Sequence, residues 1–585
     1  MEKSTTNLLE LEYIRHMDMV RDGVAALVGN KIDVPLYTEI CRSSIGSGHV
    51  ASGLGEYIIT GITDGFDPLV DEDKLPGIVH HKNYPTAFEN ADKVTSALRS
   101  RVEKGKTVKL GAWNGNKREL AFLGRARVVP LGAVPYKMEP ERARPYSDHT
   151  KTGFNPAADM KFFKHTLRTP DEIAEALKPN YFARVEDIED AFPTLPWKPY
   201  VYKYMLVHWF DIDVPLDKQS EPNTLYLHKF GDFGTGPMPG IWDSFVRCTK
   251  GMARSQQVLT KPMPHFVDDL TLIGRRRRSV DRDARKLARW LLKLGIVIKA
   301  LKTRKAAQLQ YVLGLWWDSV ERTRTLDQSK LDVYVEHLLN VINSRSITLQ
   351  DMQVLAGQMQ RATLTLPPRS TVLLANLFYL MHGLTLPWQK RRLTAAARND
   401  LRALADMLKH GGGRGYFSYD HFGRAPWVAT DSAADRRRAG GGFFTGDGIF
   451  GAWKFGAADS KKPIDFLEGK SVLVAAKHLC KSWYKKIVPF YIDNSAFQLS
   501  FKKGRSRVER LNVILRELFK LSVKHHCIFE PIWISTHLNI FADALSRGKW
   551  KDFNQAVSKI PAAAGISVRW CGEFSSPGQD KILRE

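Results

Sequence analysis

Two sets of carboxylates stand where they could do chemistry together. The first centres on Met263-Pro264-His265-Phe266-Val267-Asp268-Asp269-Leu270-Thr271-Leu272-Ile273-Gly274. Apolar runs flank the acid pair, which predicts a tight hairpin with Asp268 and Asp269 at its tip. Adjacent carboxylates repel, and a fold tolerates them when solvent or a metal ion takes up the charge. Read alone, a polar turn explains the pair. Asp187 closes the strand-like run Tyr181 to Ile188. An acid there can project beyond a sheet's edge, where ligands often bind. The second set is Asp431, Glu468, Asp493 and Asp543. Phosphoryl transfer to or from nucleic acid needs charge neutralised on the attacking and leaving oxygens. Two divalent ions roughly 3.5–4 Å apart do this, each held by carboxylates. Mg²⁺ suits such a site because it keeps several waters and takes only a few protein ligands.

The elements that must position these acids follow in chain order. Asn7 to Val28 has patchy helical periodicity, and Ser43 to Gly55 reads as loop. Ala87 to Glu103 predicts an amphipathic helix, followed by a basic segment at Lys104, Lys106 and Lys109. Val128 to Pro135 predicts a short strand and turn, with Lys137, Arg142, Arg144 and Asp148 beyond it. Lys137 and Arg144 could neutralise a triphosphate, Arg offering a two-pronged fork; a solvated basic loop is the plainer alternative. Phe233 to Gly240 is Gly/Pro-rich and could let backbone approach a bound base. An apolar helical run, Ile241 to Met252, comes next. After the acid hairpin, Arg275 to Arg278 precede a helix capped by Ser279 and ended by Gly295. Ile296 to Ile298 predicts a short strand, and Tyr311 to Trp317 a strand or hairpin. Leu331 to Leu408 reads as helical throughout. The best linker is His410 to Gly415. Beyond it the order is βββαβαβ and a final helix, which implies an α/β sheet.

Composition narrows the partner. The formal net charge is +25 over 585 residues, with a pI near 9.7. Such an excess of Lys and Arg suggests a polyanion, nucleic acid or an acidic membrane. No apolar run reaches the ~18 residues that span a bilayer, and the start lacks a signal-peptide pattern, so nucleic acid is the better expectation. Cys41, Cys248, Cys480, Cys527 and Cys571 form no CxxC pair, which predicts reduced thiols in a cytoplasmic or nuclear, not secreted, protein.

The order of the motifs resembles reverse transcriptases. Asp187-Ile188-Glu189-Asp190-Ala191-Phe192, Phe233-Gly234-(x)4-Pro239 and Phe266-Val267-Asp268-Asp269 are similar to successive palm motifs of that family. Leu294-Gly295, Lys302 and Leu313-Gly314 fit the motifs that follow. Pro130 to Pro135 with Arg144, Asp148 and Asn155 resembles the fingers. Asp431-Ser432, Glu468, Asp493-Asn494 and Asn539-(x)3-Asp543-Ala544-Leu545-Ser546-Arg547 resemble the attached ribonuclease H (RNase H) domain, in the style of DIRS-like or related LTR-type retrotransposons.

The resemblance implies a multidomain α+β and α/β chain. A right-hand polymerase of fingers, palm and thumb would be followed by an RNase H-like α/β domain. The expected divisions are an N-terminal extension (1–80), fingers and palm (81–325), helical thumb or connection (326–408), Gly-rich linker (409–426), RNase H-like domain (427–550) and tail (551–585). It further implies that Asp187, Asp268 and Asp269, and separately Asp431, Glu468, Asp493 and Asp543, are catalytic and each hold two Mg²⁺ ions, or Mn²⁺ in their place. Lys137, Arg144, Asp190, Ala191, Phe192, Phe233, Gly234, Pro239 and Lys302 would bind the deoxynucleoside triphosphate or the template. Phe192 would exclude ribonucleotides by clash at the sugar 2′ position. Lys302 would stand near the leaving pyrophosphate as a proton donor. The implied partners are an RNA template, a DNA primer, the RNA–DNA hybrid, dNTPs and other products of the same polyprotein, with no membrane.

Some positions depart from the family pattern. Phe266 stands where Tyr is usual, Glu186 and Asp232 are acidic where other types are commoner, and the loop from His537 to Asp543 is short. Gly469 is a poor helix former beside Glu468. Two other functions compete with the first. One is a nucleic-acid-binding derivative with a dead site; the other is an RNA-directed RNA polymerase, against which Phe192 and the second acid set argue.

Overall fold

The computed structural model describes residues 7–21, 29–136, 139–165, 169–299, 304–434, 439–561, 564 and 566–574. Lys137 and Lys302 lie outside the described residues. The chain is mixed α/β and multidomain, as expected, and forms two compact units, residues 1–308 and 309–585.

In the first unit a three-stranded antiparallel sheet carries the first acids. Asp269–Gly274 runs between Phe182–Asp187 and the short His265–Phe266 strand. Helix Arg277–Lys293 packs on the two longer strands, burying Val280, Ala284, Leu287 and Leu291 at helical spacing. It begins before the expected cap: Arg276 is the N-cap, without a side-chain bond, and Ser279 lies inside the first turn. Gly295, at φ +79°, follows its end. Ile296 to Ile298 makes a single bridge, Ile188 to Ile298, rather than a strand.

The expected loop at Ser43 to Gly55 is instead the junction of two helices, Val34–Gly46 and Ser52–Asp64. Small residues serve close packing there. A Cβ on Gly55 would stand 2.5 Å from the Ile45 side chain. Tyr37 stacks on Phe245 at 5.5 Å and hydrogen-bonds Thr249, so the segment expected as an extension contributes to the core. Cys41 and Cys248, far apart in sequence, come within 3.6 Å as free thiols.

In the second unit, strands Leu309–Val312, Leu315–Asp318 and Thr323–Leu326 form a sheet completed by Arg414–Tyr416. Two expectations are thereby corrected. Residues 309–325, expected within the division 81–325, pair within the second unit. The Gly-rich linker is an ordered connection: helix Ala395–Gly411 stops at left-handed Gly412 and Gly413, and the chain enters that strand. The stretch expected to be helical throughout contains helices Gln328–Asn343 and Leu349–Ala362, and a β-ribbon, Ser346–Thr348 with Lys390–Arg392, interrupts it.

The remaining sheet follows the expected βββαβαβ order. Val428–Ala433, Gly440–Thr445 and Ile449–Lys454 are antiparallel neighbours. Lys486–Ile492 joins Val428–Ala433 in parallel, and Ile528–Trp533 joins Lys486–Ile492. Helices Ile464–Leu479 and Glu509–Lys524 pack together. Elements that escaped the sequence reading include strand Gly423–Arg424, helices Ser495–Lys503 and Trp550–Ser558, and a tail strand, Arg569–Phe574, parallel to Ile449–Lys454.

Candidate active sites

The first site is set by strand register. Asp187 ends its strand directly opposite Asp269. Asp268 lies in the turn, where Val267 takes φ +53°. The buried Trp242 indole donates to the Val267 carbonyl at 2.7 Å, fixing that turn. The backbone amide of Ile188 bonds the Asp268 carbonyl at 3.0 Å. Alternation along the strand puts Arg184 and Glu186 on the face opposite Asp187. There Arg184 bridges Glu186 at 2.6 Å and Asp281 at 2.7 Å, which accounts for the acidic residue at 186.

A cleft of about 720 Å³ opens over these acids. Asp187, Asp190, Ala191, Phe192, Phe233, Asp268, Asp269 and Arg144 all line it. Phe192 packs on Phe233 at 5.2 Å, and the Arg144 guanidinium lies 4.8 Å over the Phe233 ring. Gly234 and Pro239 do not line the cleft; Gly234 directly follows Phe233, which does. Gly234 sits at φ +110°, and a Cβ there would stand 1.9 Å from the Ser147 carbonyl oxygen. Asn155 clasps the same loop, donating to the Gly234 carbonyl at 2.9 Å and accepting from the Gly236 amide at 2.7 Å. Pro239 lies in the first turn of helix Met238–Ser255. Asp232, the other departure, is buried and pairs with His149 at 3.2 Å and with Thr235. Burial would raise its pKa, but the His149 charge and hydrogen bond hold it below the usual carboxylate range.

Sequence reasoning missed several basic groups in this cleft. Lys299 Nζ stands 3.2 Å from Asp187 Oδ1. Lys104 and Lys106 reach Asp190 at 3.1 and 3.4 Å. The signal for Lys104 and Lys106 was the basic segment itself; only the fold shows that it faces Asp190, whereas Lys109 turns to Asp211 and Asp213.

The second site uses parallel register. Thr430 pairs with Ile492, so the residues that follow stand side by side, Asp431 within its strand and Asp493 just past the end of the neighbouring one. Glu468, buried in helix Ile464–Leu479, completes the set: one carboxylate oxygen from each of the three lies within 4.8 Å of the others. Among the described residues no other His, Cys, Asp or Glu group gathers so closely, the first acid set included. Burial raises the Asp431 carboxyl to about 7, with Asp493 and Asp543 adding to the rise. Glu468 is pushed well above the carboxylate range by burial, then by Asp431 and Asp493. Its Oε1 accepts from the Ser432 amide at 3.1 Å, while its buried Oε2 has no hydrogen-bond partner. All-oxygen donors, mutual repulsion and an orphaned oxygen fit a hard divalent cation.

Asp543 is oriented differently: its carboxylate takes a hydrogen bond from Arg547 Nε at 2.6 Å. Helix Ile540–Ser546 packs on the sheet at Gly442, whose Cβ would stand 2.6 Å from Leu545. That packing brings Ser546, missed from sequence, to donate to Asp431. Thr536, also missed, donates to Asp493 at 3.1 Å. Gly469 now has a reason, because a Cβ there would stand 2.5 Å from the ring of Phe497, the buried residue of the helix that sequence did not predict.

No protein-family model matches the chain, and no curated protein does. Among solved structures, it is similar to a foamy viral protease–reverse transcriptase dRH in complex with double-stranded DNA, with TM-score 0.43 and 12% identity over 85% of this chain and 81% of that one. A foamy viral protease–reverse transcriptase with an RNA/DNA hybrid gives TM-score 0.43 and 12% identity over 85% and 63%. A third, with double-stranded DNA, gives 0.41 and 12% over 85% and 97%.

Proposed function

We propose that the chain is an RNA-directed DNA polymerase with an associated RNase H activity, of the kind a retroelement uses to copy RNA into DNA. One observation carries the reading. Each unit gathers its own acids, Asp187 with Asp269 across paired strands and Asp431 with Glu468 and Asp493, and these are acids that the motifs single out.

In the first unit, Asp187, Asp268 and Asp269 would hold divalent cations, Mg²⁺ by their chemistry. Such ions, when bound, supply charge neutralisation for in-line displacement at phosphorus. Arg144 provides a fixed cation on the cleft wall for a triphosphate. Phe192, braced by Phe233, offers a bulky ring at the cleft floor that a ribose 2′-hydroxyl would meet. Lys299 keeps Asp187 neutralised when no cation is present. In the second unit, Asp431, Glu468 and Asp493 would hold the cations for hydrolysis of RNA paired to DNA, and Asp543 stays poised beside Arg547. The net charge of +25 suits a long polyanionic duplex.

A second reading has its own observation. The first acid set does not gather three donors within 4.8 Å, and Lys299 sits against Asp187, as in a nucleic-acid-binding protein whose first site is inert. Primer extension by the full chain on an RNA template with Mg²⁺ separates the two. Wild type is expected to extend with deoxyribonucleotides and Asp268→Asn to lose extension by at least about a thousandfold while still binding the duplex. Binding without extension by wild type favours the inert reading.

A further inference from the structure

The acid hairpin has a second cavity at its back. Successive strand residues point to opposite faces: Phe266 lines the acid cleft, and His265 lines a separate cavity of about 640 Å³. That volume falls in the range of sites that hold small ligands. Helices Ser52–Asp64 and Met238–Ser255 form two of its walls.

The lining combines two chemistries. The Phe162 ring is 57% exposed and meets Tyr57 edge-on at 6.0 Å. The Tyr57 hydroxyl oxygen is buried without a hydrogen-bond partner. Opposite in character are the cationic groups Arg247 and Lys250, one turn apart on a single helix. Asp243, which pairs with His265 Nε2 at 3.0 Å and with Arg247 at 4.0 Å, and Glu172 offset part of this charge, and Lys164 adds a third cation to the lining. The other ring nitrogen, His265 Nδ1, accepts from Lys250 Nζ at 3.4 Å. Burial, with Arg254 and Arg247 adding to it, holds the Lys250 ammonium below the usual lysine range against the pull of Glu172 and Asp243. A bound anion would add to that pull and favour the charged ammonium. A flat exposed ring beside clustered cations is the combination that stacks a base and neutralises its phosphate.

We propose that this cavity is a second nucleotide site, with the phosphate against Arg247 and Lys250 and the base on Phe162. A free mononucleotide and an unpaired nucleotide of a strand share this chemistry. The proposal stands apart from the activity of either acid set, because no acid of those sets lines the cavity.

The test uses the full chain in EDTA and two probes: 2-aminopurine ribonucleoside 5′-monophosphate, and a short single-stranded RNA carrying one 2-aminopurine. Fluorescence anisotropy is followed for wild type, Phe162→Ala, Arg247→Ala and, as a control at an exposed cation outside both sites, Arg118→Ala. Phe162 and Arg247 are both solvent-facing, so their truncation spares the core. The expected result is saturable binding in at least one arm. Its Kd should rise about tenfold or more in Phe162→Ala and in Arg247→Ala, and stay unchanged in Arg118→Ala. Binding of the mononucleotide identifies a free ligand, and binding of the RNA alone identifies a strand. No binding in either arm, or binding that Phe162→Ala and Arg247→Ala leave unchanged, overturns the proposal.

Discussion

Asp232 is the residue from which the cleft's Gly-rich loop hangs. It is buried, paired with His149 and Thr235, and immediately precedes Phe233 and the tight Gly234 turn. Its folded pKa lies below the ordinary 3.8. A carboxyl depressed in this way contributes stability that is present above its unfolded pKa and is lost as pH falls through its folded one. Asp232→Asn should therefore destabilise the first unit by on the order of 2 kcal/mol at pH 7. The gap from wild type should close as pH falls below about 4. Urea denaturation at a series of pH values measures this, and a gap independent of pH would contradict it. In sequence Asp232 read as a departure from a pattern, because its partner His149 is distant along the chain and spacing carries no trace of the pair.

At the scale of elements, helix Ile464–Leu479 decides whether Glu468 reaches Asp431 and Asp493. Gly469 inside it is costly by propensity, about 1 kcal/mol relative to Ala. Propensity predicts that Gly469→Ala stabilises. The Phe497 ring, buried and 2.5 Å from the added Cβ, predicts the reverse, a loss of about 1–3 kcal/mol. Thermal unfolding of the variant distinguishes the two. The same helix supports a metal prediction. Mg²⁺ at a hundred times its Kd should stabilise the second site by about 2.7 kcal/mol. Glu468→Gln should abolish most of that gain in a thermal-shift titration, and an undiminished gain would remove Glu468 from the site.

Much of this level was legible in sequence. The acid hairpin, the Asp187 strand and the βββαβαβ order are written in hydrophobic periodicity and turn residues, which act locally. What stayed hidden depends on packing between distant segments. Ser43 to Gly55 looked like loop because its small residues serve contact between helices Val34–Gly46 and Ser52–Asp64. The Gly-rich run at 410–415 looked like a spacer because a helix stop followed by a short strand has the same composition. Lys299 and Thr536 carry no motif, and Ser546 lies in one without a role of its own; only the fold brings Lys299 to Asp187, Ser546 to Asp431 and Thr536 to Asp493.

At the scale of the whole molecule, the chain carries two acid centres in two compact units. Polymerisation and hybrid cleavage should therefore be separable by substitution. The most direct measurement follows both in one reaction, on an RNA template with a DNA primer and Mg²⁺, with label on each strand. Wild type should lengthen the DNA and shorten the RNA. Asp268→Asn should stop lengthening and leave cleavage of a preformed hybrid intact, and Asp431→Asn should do the opposite. A wild-type chain that binds the hybrid but neither lengthens the DNA nor cuts the RNA would contradict the account.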